Sequence, residues 1–183
     1  VSLGIIEGKP DGSYGPTENV DRAQMAKMLS VIMNKGVDNS ALYQSVNSGL
    51  VDVNTNWAKG HINYCYTTGI IAGRGNGKFD PSATVTALEA AKMLLVAVGY
   101  DPAIEGFEGA DWAINVSVRA DEQGIFEGFT KDLSAPLNRD DAALLIYNAL
   151  DVEMIQSYTT NNYPIAYSDH RTILADKYGV IKV

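Results

Sequence analysis

Two arginines stand in equivalent surroundings, and their residue types point to anion binding. Arg22 follows Asp21, and Arg139 follows Asn138. Because Asp and Asn are preferred N-caps, each arginine is predicted to lie in the first turn of a helix. That end of a helix presents unpaired amides and a partial positive charge, and a guanidinium adds paired donors that match a carboxylate. We therefore expect both arginines to bind an anionic partner; the alternative is an arginine that is solvated or paired with a nearby carboxylate.

The same position occurs a third time without the arginine, in Thr86-Ala87-Leu88-Glu89. All three places have the spacing of a capping box, in which the cap accepts from the amide three residues later and the side chain there reaches back. The pairs are Asp21 with Gln24, Thr86 with Glu89, and Asn138 with Asp141. We expect the groove at Arg22 to be the best anion site and the one at Arg139 to be second, because Asp140 and Asp141 adjoin Arg139. The Thr86 box is expected to be structural.

These boxes are parts of an internal repeat, which is the strongest guide to the fold. The stretch from Gly4 to Leu29 aligns without a gap to the stretch from Gly69 to Leu94, and Arg139 lies 117 residues after Arg22. After each box, apolar residues recur at i, i+3, i+4 and i+7, which predicts an amphipathic helix that faces a core. The repeat therefore indicates three copies of one helical unit.

Two tryptophans mark an earlier helix in the second and third copies. Trp57 and Trp112 each precede a Gly-Ile pair by twelve residues, at Gly69 and Gly124. We expect a helix over each interval, ended by the glycine in the left-handed conformation. Helical spacing favours packing of both tryptophans in the core over stacking on a sugar. Only three residues precede the Gly-Ile pair of the first copy, so we expect this copy to lack its leading helix in the given sequence.

Composition restricts the class of protein. Of the 183 residues, 46% are hydrophobic and 20% are charged, which is ordinary for a globular chain. A net charge of −8 argues against a nucleic-acid partner, which would call for a basic surface. No apolar run is long enough to span a bilayer, and we expect no membrane insertion. No signal peptide is visible, so any export signal is expected to have been removed.

Other kinds of chemistry find no support in the residue pattern. The single cysteine, Cys65, stands among apolar and aromatic neighbours and is expected to be buried and inert. His61 and His170 are the only histidines, and their spacing does not suggest a metal site. No serine has the surroundings of a hydrolase nucleophile. We therefore expect no enzyme activity, no cofactor and no metal.

The combined pattern resembles the S-layer homology family over about residues 3–36, 51–99 and 107–150. The residues that carry the resemblance are the tryptophan helix, the Gly69-Ile70 turn, the loop Gly75–Pro81 and the Thr86 box. The resemblance implies an all-α fold of three helix-loop-helix repeats, arranged with pseudo-threefold symmetry around a central helical bundle. We expect a partial first repeat over residues 1–37, a second over 38–100 and a third over 101–151.

The resemblance also implies a function. Proteins of this family are anchored noncovalently to the bacterial cell wall, outside the cell, through a secondary cell-wall polysaccharide that often carries ketal-linked pyruvate. The candidate glycan contacts are then the box residues and the tryptophans: Arg22, Asp21, Gln24, Arg139, Asn138, Asp141, Thr86, Glu89, Trp57 and Trp112. One alternative is a structural module that assembles with other S-layer subunits and has lost glycan binding; an enzyme fragment is the least favoured.

Residues 152–183 follow the last repeat and are expected to form a C-terminal extension. The stretch 151–167 shows no periodicity and is predicted to be irregular. Ser168 or Asp169 is expected to cap a short helix over Thr172–Tyr178 that ends at Gly179.

Overall fold

The computed structural model describes residues 5–8 and 11–180, and most of its regular structure is helical. The helices are α1 (Arg22–Met33), α2 (Lys59–Thr67), α3 (Ala87–Val98), α4 (Trp112–Glu122), α5 (Arg139–Ala149) and α6 (Ile173–Tyr178), with a short 3-10 helix over Ser40–Tyr43. Two short strands, β1 (Ile155–Tyr158) and β2 (Pro164–Ala166), complete the elements. The all-α prediction is confirmed apart from this hairpin. Gly4, which opens the repeat pattern, lies outside the described residues.

The chain divides into two compact units. One consists of Val1–Val85 with Pro136–Asp140, and the other of Thr86–Ala135 with Asp141–Val183. The predicted repeat boundaries and the threefold arrangement stay predictions.

Two of the three predicted capping boxes are present. The Asp21 carboxylate accepts from the Gln24 amide at 2.7 Å, and the Gln24 side chain accepts from the Asp21 amide at 3.0 Å. Thr86 and Glu89 make the same reciprocal pair at the start of α3. Such a cap stabilises a helix by about 1 kcal/mol. The third box, at the start of α5, stays a prediction.

The helices predicted before the Gly-Ile turns are confirmed. Gly69 (φ 78°) and Gly124 (φ 70°) follow α2 and α4 in the left-handed region, which favours glycine because it has no Cβ. However, α2 begins at Lys59, so Trp57 lies two residues before the helix.

In the first unit, α1 packs against α2 through buried apolar faces. Met25 and Leu29 of α1 and Ile62 of α2 are almost fully buried. Cys65 is also buried between apolar groups, and its Sγ donates to the carbonyl of Ala26 at 3.4 Å. Burial raises the pKa of the Cys65 thiol, so the prediction of an inert cysteine is confirmed.

In the second unit, β1 and β2 form an antiparallel hairpin with a bulge between Ile155 and Ser157. The prediction of irregular structure here was wrong, because strands of four and three residues are too short for alternation to be visible. The hairpin packs closely on the end of α3. A Cβ at Gly99 (φ 116°) would lie 2.4 Å from the Ile155 carbonyl oxygen, so only glycine is tolerated there.

The short C-terminal helix α6 is confirmed, and it ends at Gly179 in the left-handed conformation. Its predicted N-cap was wrong. Thr172, not Ser168 or Asp169, accepts from the Ala175 amide at 3.2 Å. The Asp169 carboxylate is instead held by the guanidinium of Arg171.

Arg22 ties α1 to the glycine-rich loop of the second copy. Its side chain is only 4% exposed. Nε donates to the Phe79 carbonyl at 2.8 Å and Nη2 to the Ala72 carbonyl at 2.7 Å. The guanidinium also lies 4.4 Å from the centroid of the Phe79 ring. The loop carbonyls therefore find charged donors, which are stronger partners than neutral ones.

Asp52 holds the same loop from its amide side. Its carboxylate accepts from the Phe79 amide at 2.9 Å and from the Asp80 amide at 2.8 Å. Burial raises the pKa of Asp52, but these amide donors outweigh burial and lower the pKa below its ordinary value. Phe79 is fully buried and so holds the loop against the core.

A buried histidine links α2 to α1 and to the connector between them. His61 Nδ1 lies 2.6 Å from Ser30 Oγ, and Nε2 lies 3.6 Å from Asp38 Oδ2. Ser30 Oγ also donates to the Lys27 carbonyl at 2.9 Å. Burial lowers the pKa of His61 by more than Asp38 raises it, and Lys27 lowers it further. Neutral His61 is therefore the form that the fold favours.

We expect Arg22→Lys to lower the free energy of unfolding by about 2–3 kcal/mol, because the buried Phe79 carbonyl or the part-buried Ala72 carbonyl loses its charged donor. Arg74→Lys, an exposed position in the same loop, is expected to change stability by less than about 0.5 kcal/mol. Urea unfolding followed by tryptophan fluorescence measures both. Equal effects of the two variants would contradict the role given to Arg22.

We expect the stability of the chain to fall as the pH is lowered from about 7.5 to about 5.0. The unfolded state takes up a proton at the ordinary histidine pKa of 6.5, before folded His61 does, so acid favours unfolding. His61→Asn should flatten this slope, because it removes the buried imidazole. Denaturant titrations at several pH values provide the test; identical slopes for the wild type and His61→Asn would refute it.

Candidate functional site

A cavity of about 450 Å³ opens in the first unit where parts of all three sequence copies meet. This volume is within the usual range for small-ligand sites. We call it the Trp57 pocket. Its lining comes from residues 5–8, from one face of α1, from the position two residues before α2 and from the start of α5: Ile5, Ile6, Glu7, Gly8, Gln24, Lys27, Met28, Trp57 and Arg139.

Trp57 gives the pocket an exposed aromatic wall. Its side chain is 58% exposed, and its ring meets that of His61 edge-on, with centroids 6.5 Å apart. The interpretation of Trp57 as a core residue was therefore wrong. It assumed that the helix extends to Trp57, whereas α2 begins at Lys59. A large flat indole left in solvent is a surface on which the apolar face of a sugar ring can stack.

Arg139 borders the pocket with a partly exposed guanidinium. Nε donates to the Tyr14 carbonyl at 2.8 Å and Nη2 to the Glu7 carbonyl at 2.7 Å. The guanidinium lies 5.1 Å from the centroid of the Tyr14 ring. Among the described residues, Nη1 makes no hydrogen bond. Arg139 thus holds the first loop and retains donor capacity at the pocket.

The two box arginines make equivalent contacts with the protein's own backbone. Arg139 binds the carbonyls of Glu7 and Tyr14, whereas Arg22 binds those of Ala72 and Phe79. Residues 72 and 79 are the repeat equivalents of 7 and 14, so one clamp occurs twice. Of the two, Arg22 is the buried one and does not line the Trp57 pocket.

Charged groups in the pocket include two cations and one carboxylate. Lys27 Nζ lies 2.8 Å from Glu7 Oε2, and the two side chains are 30% and 66% exposed. Arg139 supplies the second cation. In a chain of net charge −8, this gives the pocket a locally positive balance.

The remaining predicted site residues have other surroundings. Asp21, Thr86 and Glu89 are occupied in helix caps, and Gln24 both caps α1 and lines the pocket. Asp141 pairs with Lys131 at 2.5 Å. Asn138 forms an isolated bridge with Asn19. Trp112 is partly exposed, and Lys92 Nζ lies 5.8 Å from its ring centroid.

Sequence reasoning missed Lys27 and Glu7 as pocket residues. A signal for Lys27 was present, because the gap-free alignment places Lys92 at the equivalent position. For Glu7 the signal was divided, since its equivalents are Ala72 in the second copy and Glu127 in the third.

The contacts of Ser30, His61 and Asp38 also escaped the sequence analysis. These are the residue types of a hydrolytic triad, but the Ser30 hydroxyl is buried and does not line the Trp57 pocket. The arrangement therefore provides no accessible nucleophile and acts as a structural network.

Within residues 5–8 and 11–180, no three His, Cys, Asp or Glu side chains are grouped to hold a metal ion. No helix of that part combines the length and apolar character required to cross a membrane.

The family model and the relatives that match this chain all point to bacterial surface proteins. A family model described as S-layer homology domain matches residues 1–26 and 51–91. "Cell surface protein" of Thermoanaerobacter kivui is 31% identical over 156 residues, covering 85% of this chain and 19% of the relative. "Middle cell wall protein" of Brevibacillus brevis is 28% identical over 85% of this chain and 14% of its own length. "S-layer protein EA1" of Bacillus anthracis is 33% identical over 58% of this chain and 12% of its own length.

The chain thus spans less than a fifth of the length of these relatives. The matched segments contain the starts of the first two box helices, the second Gly-Ile turn, Trp57 and the loop clamped by Arg22. Sequence pattern and similarity agree: the chain belongs to the S-layer homology domain family.

Proposed function

We propose that this chain attaches a larger bacterial surface protein noncovalently to a secondary cell-wall polysaccharide, with the Trp57 pocket as the glycan site. The general part of this function, a place at the cell wall or surface layer, follows from the family. The attachment involves no catalysis. The identity of the site and the polysaccharide as its ligand are the proposal.

The observation that carries the proposal is the exposed Trp57 indole beside the cations Lys27 and Arg139. An aromatic face and positively charged donors in one cavity suit a sugar that carries an acidic group. The indole takes the apolar face of the ring, and a guanidinium or ammonium takes the carboxylate. Because the whole chain is acidic, an anionic polymer needs such a local site to bind.

The site residues then have distinct roles. Trp57 stacks on the sugar, and Arg139 and Lys27 bind its acidic group. The side-chain oxygen of Gln24 is engaged in the helix cap, and its side-chain NH2 group donates to sugar hydroxyls. Arg22 supports the second loop and ranks behind Arg139 as a ligand. Asp21, Asn138, Asp141, Thr86 and Glu89 are assigned to helix starts, and Trp112 to a second aromatic surface beside Lys92.

A second function is supported by apolar side chains on the surface of the second unit. Ile114 and Val118, one turn apart on α4, are exposed, as are Tyr147 and Tyr163. Exposed apolar residues that share a helix face can contact another protein. Assembly with other S-layer subunits is therefore the alternative, and it predicts self-association without binding to wall glycan.

We expect Trp57→Ala to weaken binding to purified cell-wall sacculi roughly tenfold, because stacking on the indole is lost. Tyr163→Ala removes another exposed aromatic residue, from the turn of the hairpin, and should leave binding unchanged. Cosedimentation over a range of sacculus concentrations measures both, with sacculi stripped of wall polysaccharide as the background. Equal binding by both variants and the wild type would exclude the Trp57 pocket.

We expect Arg139→Lys to weaken the same binding by about tenfold, since the single nitrogen of lysine does not reproduce the separated donors by which the guanidinium binds two carbonyls and faces the ligand. The stability of this variant is measured in parallel by urea unfolding, because the first loop loses part of its clamp. Unchanged binding by a folded Arg139→Lys would remove Arg139 from the site. Binding that persists on stripped sacculi would reject the polysaccharide as ligand for the whole chain.

A further inference from the structure

The geometry points to Glu7 as a built-in competitor for the acidic group of the ligand. This inference rests on the proposed function and concerns the same pocket. In the free protein the Glu7 carboxylate takes Lys27, the cation that a ligand carboxylate would use. Glu7 thus lowers the affinity for acidic sugars and sets the strength of attachment.

The Glu7 side chain has no part in holding the loop. Arg139 binds the backbone carbonyl of Glu7, at 2.7 Å, and not its carboxylate. The equivalent clamp at Arg22 binds the carbonyl of Ala72, which has no acidic side chain. A carboxylate at this position is therefore dispensable for the architecture. Its direct contact in the described structure is with the pocket cation.

The ion pair is weak enough for a ligand to displace it. Glu7 is 66% exposed and Lys27 is 30% exposed, so solvent screens their attraction. Exposed pairs of this kind contribute about 0.2–1 kcal/mol. A ligand carboxylate that is also held by Arg139 and by stacking on Trp57 has additional contacts that Glu7 lacks. Exchange of one carboxylate for another at Lys27 keeps the cation paired in both states.

The charge of Glu7 also acts on the pocket as a whole. With Glu7 ionised, the pocket cations Lys27 and Arg139 face one fixed negative charge within the same lining. Removing that charge leaves two cations for the ligand. The repeat equivalent Glu127 has the same residue type but belongs to the second unit and does not line the Trp57 pocket. It offers a control for the general effect of net charge.

The test compares Glu7→Gln with Glu127→Gln in cosedimentation with native sacculi at fixed ionic strength. Both variants remove one negative charge from the chain. Glu7→Gln should bind about two- to fivefold more tightly than the wild type, the factor that corresponds to loss of an exposed ion pair. Glu127→Gln should bind like the wild type. In a Lys27→Met background, Glu7→Gln should bring a clearly smaller gain, because the contested cation is absent and only the effect of the Glu7 charge on Arg139 remains.

A second arm uses sacculi whose carboxylates have been converted to methylamides. The advantage of Glu7→Gln should disappear on these sacculi if the ligand group is a carboxylate. Weaker binding by Glu7→Gln would mean that its carboxylate contacts sugar hydroxyls directly, and would overturn the inference. So would a gain that Glu127→Gln shares, or one that persists on methylamidated sacculi. Failure of the wild type to bind native sacculi would instead reject the proposed function.

Discussion

The loops of this protein depend on backbone carbonyls that are bound by arginine side chains. A loop rich in glycine follows a path that leaves its carbonyls without partners in a helix or sheet, and a buried carbonyl without a donor is costly. Arg22 meets this need for Phe79 and Ala72 with two charged hydrogen bonds, while its guanidinium covers the Phe79 ring. Asp52 binds amides of the same loop from another side. With both faces of the backbone satisfied by ionised groups, an irregular segment becomes a fixed support for neighbouring residues.

Local chemistry made much of the fold predictable. The helix starts could be predicted from the pairs Asp21 with Gln24 and Thr86 with Glu89, because all the interacting groups lie within four residues. The helix ends at Gly69 and Gly124 could also be predicted, because they depend on the local conformation of one glycine. The hairpin escaped prediction because its order comes from pairing between β1 and β2, not from either strand alone. The roles of the arginines were also decided at long range. The anion-binding argument considered the helix end, whereas the actual partners of Arg22 are fifty or more residues away in the chain.

The Trp57 pocket could be predicted only in part. Gln24, Trp57 and Arg139 were candidates from the repeat pattern, but nothing in their spacing indicated that they line one cavity. Lys27 was not a candidate, because an i, i+3, i+4 pattern identifies the buried face of α1 and does not predict which residues at the border of that face line a pocket. Trp57 was a candidate but was placed wrongly. The predicted helix included Trp57, whereas α2 begins two residues later, and Trp57 is exposed and not in the core. Functional surfaces of repeat proteins are assembled from such boundary positions, where periodicity carries the least information.

The first compact unit takes residues 136–140 from the third sequence copy, and among them is the arginine that clamps the loop of the first. The copies are thus not structurally independent, and one of them cannot be removed without affecting another. A chain cut after its second copy would keep every residue of the first loop yet lose the guanidinium that closes it. The copies are alike in sequence, but the loop of one copy depends on an arginine of another. Shortened or shuffled versions have to be designed around the clamps, not around the repeat boundaries.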